Sequence, residues 1–291
     1  MSLFAHSIGF GLVTASLLAV AAVGLTLQFG IANFANIAYC QFMTMGAFLT
    51  WEFARLPHIS FWLAVLMASI IVGVISLLVG KYLLGRFVKR GAPNLYLLIA
   101  SFATMTVFAG LMRAVWGTDP HAFSLPTQHP YHIGPLLLTG SELGVLLLTV
   151  VLLTALHLML SRTKLGKSMR AMADNKPLAR LCGVPTTRVT DVMWATSGVL
   201  GSLGGIALAI DVSTFDVSLG LNFLFVVLAA VVLGGIGRPY GTMLGALIIG
   251  MAVEISTNVI AAAYKLDIAF GILILVLLVR PEGLSRVVGR T

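Results

Sequence analysis

Ser161-Arg-Thr-Lys-Leu-Gly-Lys-Ser-Met-Arg170-Ala-Met-Ala-Asp-Asn175-Lys-Pro-Leu-Ala-Arg180-Leu-Cys-Gly-Val-Pro185-Thr-Thr-Arg-Val-Thr190 is the longest polar interval in a chain of 291 residues that is otherwise largely apolar. Seven of the eighteen basic residues fall inside it: Arg162, Lys164, Lys167, Arg170, Lys176, Arg180 and Arg188. The segments beside it, 143–160 and 192–210, read as bilayer crossings, which take about 20 residues each. A loop this rich in lysine and arginine between two crossings marks the cytoplasmic side of a membrane. The interval also carries local order. Met169, Met172 and Ala173 share one helical face, and Leu178, Leu181 and Cys182 repeat that spacing after a break. Asn175 suits an N-cap, Pro177 the first turn of a helix, and Gly183 the position just past its end. Two short helices are therefore expected, with small apolar faces and basic flanks at the membrane surface. Such an element has the form expected of a docking site for a soluble partner.

Composition agrees with that reading. Apolar residues make up 59% of the chain and charged residues 10%, and the mean hydropathy is +1.03. Soluble domains have roughly 45–50% apolar and about 25% charged residues, so a water-soluble fold could not hide this surface. The expected class is all-α: one polytopic membrane domain over 1–291, with eight or nine transmembrane helices. The clearest spans are 8–29, 61–84, 95–116, 143–160, 192–210, 223–236, 242–263 and 268–279, with a weaker one over 37–53. The start of the chain lacks a positively charged region, so its apolar stretch reads as a retained span rather than a cleaved signal.

Loop charge predicts the orientation. In a nine-span arrangement Lys81, Arg86, Lys89, Arg90, the seven cations of the long loop, Arg238, Arg280, Arg286 and Arg290 share one side, leaving only Arg55, Arg113 and Lys265 elsewhere. That places the N-terminus outside and the C-terminus in the cytoplasm. The formal net charge of +8 then follows from topology, and nucleic acid is not expected as a partner. Cys40 and Cys182 lie in a span and in the cytoplasmic loop, so neither a disulfide nor a metal site is expected. The outer loop 117–140 carries Asp119, His121, His129 and His132 without recognised ligand spacing, and reads as a proline-stiffened surface loop.

Four features invite a functional reading. Gln28, Gly30, Asn33, Asn36, Gln41, Thr44 and Gly46 form an unusually polar intramembrane stretch, which either bonds helices together or lines a translocation path. Glu254 is an acid deep in a strong span, so it faces the bundle interior or water, as a structural partner, a gate or a proton relay. Ser197, Gly201 and Gly205, and again Gly237, Gly241 and Gly245, recur at four-residue spacing, which lets helix backbones approach closely. Gly166-Lys167-Ser168 imitates the end of a phosphate-binding loop. Ser161 stands where its first glycine belongs and a span precedes it instead of a strand, so ATP is not bound here. No cofactor or catalytic motif is present, and the chain is not read as an enzyme.

Three runs together resemble a known family. Leu165-Gly-Lys-Ser-Met-Arg-Ala-Met-Ala-Asp-Asn-Lys-Pro-Leu-Ala-Arg-Leu-Cys-Gly-Val184 is similar to the cytoplasmic run of the smaller permease subunit of ATP-binding-cassette importers for branched-chain amino acids. Gly166, Arg170, Ala171, Asn175, Ala179 and Gly183 match that family's pattern, and Asp174 replaces a longer acid or amide. Val232-Leu-Gly-Gly-Ile-Gly-Arg-Pro-Tyr-Gly-Thr-Met-Leu-Gly-Ala246 and Arg280-Pro-Glu-Gly-Leu284 resemble its later segments. The family's Asn-Phe-Ala-His-Gly-acid run departs here to Asn36-Ile-Ala-Tyr-Cys-Gln41. The resemblance implies a permease of a bacterial inner membrane. It implies separate ATPase subunits docked on the cytoplasmic run, a second permease subunit, identical or related, and a periplasmic substrate-binding protein. Gly166, Arg170, Ala171, Asp174, Asn175, Ala179 and Gly183 are then the expected coupling residues, while Asn33, Asn36, Gln41 and Glu254 are candidates for the translocation path. Branched-chain amino acids are the first choice of substrate, with other amino acids, small amides or urea as alternatives. A secondary transporter is the competing reading, with Glu254 as its one candidate coupling acid.

Overall fold

The computed structural model describes residues 2–123, 131–133, 136–257 and 264–279. His129, the end of the 242–263 segment and the whole Arg280-Pro-Glu-Gly-Leu284 run lie outside the described residues, as do Arg286 and Arg290. The chain runs α1 (Ser2–Ala32), α2 (Tyr39–Ala54) and α3 (Phe61–Leu78), which passes through a π-helical turn (Val79–Leu84) into α4 (Gly85–Lys89). Then come α5 (Asn94–Trp116), β1 (His121–Ala122), β2 (Tyr131–Ile133), β3 (Leu136–Leu138) and α6 (Gly140–Arg162). The long polar interval folds as α7 (Lys164–Asp174) and α8 (Lys176–Leu181), followed by α9 (Thr186–Val212), β4 (Thr214–Phe215), α10 (Leu219–Gly234), α11 (Pro239–Ser256) and α12 (Lys265–Val279). Among the described residues six helices are long and apolar enough to cross a bilayer: those in α1, α3–α4, α5, α6, α9 and α11. Shorter apolar helices occur in α10 and α12. Eight spans would need crossings by α10 and α12 as well, and nine would need α2 too.

Two helices form the centre. α1 packs along α9 and α11, and α9 packs in turn on α2 and α3, while α10 joins α11 to α2. The outer helices carry the apolar surface that lipid would cover. On α3, Trp62, Leu66, Ile70, Val74, Leu78 and Tyr82 form an exposed stripe at every fourth residue, and its next member, Arg86, is charged and exposed. Leu147, Val150, Val151 and Leu158 expose the same kind of face on α6. In water so large an apolar patch would be a liability. In a bilayer it is the solvated surface.

The helix ends follow local chemistry. Thr139 and Glu142 form a reciprocal capping box on α6, Ser60 caps α3, and Asn33, with φ 60°, terminates α1 in the left-handed region that asparagine tolerates. The two ends of the bundle differ. At one, β1 pairs antiparallel with β4, His121 opposite Phe215, over rings of Phe48, Trp51, Phe123 and Phe215. At the other, Gly30 of α1 meets Gly237 in the turn before α11. The basic side chains collect there, Lys81, Lys89, Lys176, Arg180 and Arg188 around one cavity and Arg170 and Arg238 around another.

Some expectations change. The span expected over 37–53 is helical only from Tyr39, because residues 33–38 run non-helically back along α1. Gly237 does not belong to a helical stripe with Gly241 and Gly245. Its φ of 78° puts it in the turn before α11, where a Cβ would be strained. Ser197, Gly201 and Gly205 do share α9, each against α1 or α2.

Candidate functional site

The α7–α8 element is built by caps that act over three or four residues. Thr163 closes α6 and opens α7, its hydroxyl accepting from the Gly166 amide at 3.0 Å. Gly166 sits against the last carbonyls of α6, where a Cβ would overlap the Met159 and Leu160 backbone. Asn175 ends α7 and caps α8, its Oδ1 accepting from the Leu178 amide at 3.0 Å. Pro177 stands in the first turn. The Val184 amide donates to the Ala179 carbonyl and the Gly183 amide to that of Arg180, with Gly183 at φ 81°. That double closure is a Schellman motif, which needs the left-handed residue at Gly183.

The two helices present different faces. α7 buries Gly166, Met169 and Met172 against the bundle, while Arg170, Ala171, Ala173 and Asp174 are exposed. α8 buries only Ala179. Its apolar pair points outward, Leu178 at 56% and Leu181 at 85% exposure. The repeat of apolar residues in the sequence therefore serves two purposes, α7 seating itself on the bundle and α8 turning to solvent. Arg170 and Asp174 line a cavity of about 350 Å³ with Gly30, Gly237, Arg238 and Tyr240. The Tyr240 hydroxyl lies 2.9 Å from His157 Nδ1 on α6. One side of α7 thus faces the turn that leads into α11.

The polar side chains of the intramembrane stretch lie deep in the bundle, apart from Asn33, which is exposed at the end of α1. Asn36 Nδ2 donates to Gln28 Oε1 at 2.9 Å, and Asn36 Oδ1 accepts from the Ala38 amide at 3.2 Å. The first bond ties the non-helical segment 33–38 to α1, and the second satisfies a backbone amide that this segment would otherwise leave orphaned, a requirement at membrane depth. α2 runs from the bundle core toward the β1–β4 end, and α10 runs from the core toward the basic end. The first turn of α10 meets the first two turns of α2. The Gly220 amide donates to Thr44 Oγ1 at 3.0 Å, and a Cβ on Gly220 would overlap the Cys40 carbonyl. Gln41 stands in the same turn of α2, buried, its Oε1 without a partner.

Glu254 lies at the opposite end, in the last turn of α11. Its Oε1 accepts from Lys265 Nζ of α12 at 2.7 Å and from Thr14 Oγ1 of α1 at 3.0 Å. One carboxylate oxygen therefore ties three helices. The four path candidates do not converge. Asn36 and Gln41 sit in the core, Asn33 is at the basic end and Glu254 at the far end.

Contacts that the sequence did not announce hold the site together. Lys81 in the π turn pairs with Asp191 of α9 at 3.1 Å, and Ser76 donates to the Trp194 carbonyl at 2.8 Å. Tyr39, which stands where the resembled run has histidine, is fully buried and donates to the Ala21 carbonyl at 2.7 Å. Gly24 leaves room for that hydroxyl.

The profile of the family described as branched-chain amino acid transport system / permease component matches residues 7–277. The high-affinity branched-chain amino acid transport system permease protein BraD of Pseudomonas aeruginosa is 26% identical over 288 residues, covering 94% of this chain and 93% of its own. The high-affinity branched-chain amino acid transport system permease protein LivH of Salmonella typhimurium is 26% identical over 286 residues, covering 94% and 92%. The probable branched-chain amino acid transport permease LivH of Methanocaldococcus jannaschii is 27% identical over 289 residues, covering 95% and 90%. Among solved structures, PsaBC from Streptococcus pneumoniae in complex with Fab aligns at a TM-score of 0.52 and 12% identity, covering 95% of this chain and 92% of that one. That likeness is one of fold.

Proposed function

Because the chain belongs to the family of permease components of branched-chain amino acid transport systems, we propose that it is the membrane half of an ATP-driven importer for leucine, isoleucine, valine or similarly small amino acids. In this reading the basic end faces the cytoplasm and the N-terminus and the β1–β4 end face the periplasm, as fifteen of eighteen basic residues on one side would favour. The membrane is the bacterial inner membrane. A second permease subunit completes the path, and a periplasmic binding protein delivers the solute.

The carrying observation is the outward turn of α8. A helix at the basic end that buries only Ala179 and exposes Leu178 and Leu181 has the shape of a knob for a hydrophobic groove, the way amphipathic helices are gripped by partner proteins. A separate ATPase subunit is the proposed partner. When its halves close, α8 is displaced and α7 moves with it through the Asn175 hinge that both helices share. Arg170 and Asp174 on α7 face the Gly237–Tyr240 turn, so the displacement reaches α11 and, through Gly30, α1. Packed cores respond to such shifts by switching between discrete arrangements.

The test is reconstitution. The chain, co-expressed with candidate ATPase and permease subunits of the same organism, is expected to co-purify with an ATPase and a second permease subunit, identical or related. In vesicles the complex should accumulate labelled leucine only with ATP, a binding protein and no vanadate. Accumulation that persists without an ATPase, driven by an imposed ion gradient, would replace this reading with secondary transport.

A further inference from the structure

A second cavity at the basic end borders α8 on the side away from Leu178 and Leu181 and has no part in the docking proposed above. A cavity of about 870 Å³ opens between the end of α1, the π turn and α4, the length of α8, and the start of α9. Lys81 and Lys89 stand on one wall, and Lys176, Arg180 and Arg188 on the other. Asp191 is the one carboxylate of the lining, and it is already paired with Lys81. Among the described residues no ion pair engages Lys89, Lys176, Arg180 or Arg188. Burial holds the Lys176 ammonium below the ordinary lysine value, as expected for a cation drawn from water without a counter-ion.

The floor is apolar, formed by Phe34, Leu84, Val88 and Trp194. The π turn makes this shape. Gly80 leaves room for the Trp194 indole, which a Cβ there would overlap, and the widened turn brings Lys81 to Asp191. Turns of this kind inside α-helices are frequent at functional sites. α8 divides its surface between two tasks. Lys176 and Arg180 line the cavity, whereas Leu178 and Leu181 do not. The depth is set by the neighbouring helix, whose exposed apolar stripe ends at Tyr82 and turns charged at Arg86. The cations therefore stand where hydrocarbon gives way to headgroups.

We propose that this cavity binds the phosphodiester headgroup of an anionic phospholipid of the phosphatidylglycerol or cardiolipin class, bridging α4 to α8. A phosphate would meet the unpaired cations while an acyl chain covers the apolar floor, the recognition chemistry of basic pockets between transmembrane helices. An acidic segment of a protein partner would satisfy the charges but would leave that floor and the adjoining stripe of α3 uncovered. The bridge links α8 to the membrane as well as to its partner, so lipid composition would adjust how freely α8 moves. That last consequence rests on the coupling role proposed above; the binding itself does not.

The experiment is lipid retention by the full-length chain, purified with its partner subunits and read by native mass spectrometry after exposure to phosphatidylglycerol or phosphatidylcholine. Phosphatidylglycerol should be retained selectively, and Lys176→Gln/Arg180→Gln/Arg188→Gln should weaken retention roughly ten- to hundredfold. Arg162→Gln/Lys167→Gln, which removes exposed cations outside the cavity, should leave it unchanged. Val88→Phe fills the floor without touching charge and should also lower retention, which keeps the test open should the triple variant fail to fold. Equal retention of both lipids, or retention untouched by the triple variant and Val88→Phe, overturns the proposal. Inorganic phosphate bound at the cavity with no lipid retained overturns it in favour of a soluble anion. Retention seen only after the ATPase is stripped away overturns it in favour of an acidic segment of that partner.

Discussion

The crossing of α2, α9 and α10 and the α7–α8 element are both polar interruptions of an apolar chain, yet they are built in opposite ways. At the crossing, backbones touch. A Cβ on Gly205 would overlap the Met43 carbonyl, and one on Gly220 the Cys40 carbonyl, while Thr44 and Asn36 satisfy the broken backbone. At α7–α8 most side chains reach solvent, cavities of about 350 and 870 Å³ flank the element, and the caps are local. A close-packed centre cannot absorb displacement by repacking, and a loosely seated surface element can be moved at small cost. In the coupling proposed above, the first region would serve as the transmission and the second as the handle.

The sharpest way to break the comparison is to add volume at the crossing. Gly220→Val is expected to destabilise the chain by about 3 kcal/mol, the upper end of overpacking costs, seen as loss of a monodisperse species and a lowered melting temperature in detergent. A variant that folds and transports normally would mean the backbones are not in contact. Changes at the handle should spare folding and remove function. Arg170→Glu is expected to abolish uptake in vesicles with melting unchanged to within about 0.5 kcal/mol, as for a surface substitution. Gly183→Pro should also abolish uptake, with a modest loss of stability of about 1 kcal/mol, because proline cannot adopt the left-handed backbone that ends α8 and lacks the N–H that donates to Arg180. Normal uptake by Arg170→Glu would remove that residue from coupling.

A smaller effect is expected from Leu181→Asp, which should reduce co-purification of the ATPase while the permease remains in the membrane. Retained co-purification would move the docking surface off α8. The smallest change is Glu254→Gln. Oε1 keeps its two donors in the amide and loses only charge, so melting should fall by about 1 kcal/mol and uptake, with its pH profile, should persist. Loss of uptake with a flattened pH profile would instead make Glu254 a proton carrier.

The handle was largely legible in the sequence because its determinants are close together. Asn175 reaches Leu178, Thr163 reaches Gly166, and Gly183 closes on Arg180. Direction was not legible. The same apolar spacing buries Met169 and Met172 on α7 and exposes Leu178 and Leu181 on α8, since spacing defines a face without saying what lies beyond it. At the crossing even the elements were blurred. Asn36 and Gln41 showed as amides at membrane depth, but their surroundings come from residues far along the chain. The Thr44–Gly220 bond spans 176 positions. Gly237 looked like part of a helical stripe until its positive φ placed it in a turn against Gly30.

By itself, then, the order of residues determined the class, the apolar segments and the two capped helices between Thr163 and Val184, because hydropathy and capping act within a few positions. Only the tertiary structure decided which polar groups meet. It made Glu254 a tie between α1, α11 and α12, set the first turn of α10 against the first two turns of α2, and gathered cations from Lys81 to Arg188 around one cavity. The reason is geometric. Burial and close approach depend on what a distant helix brings to the same depth, which no local pattern records.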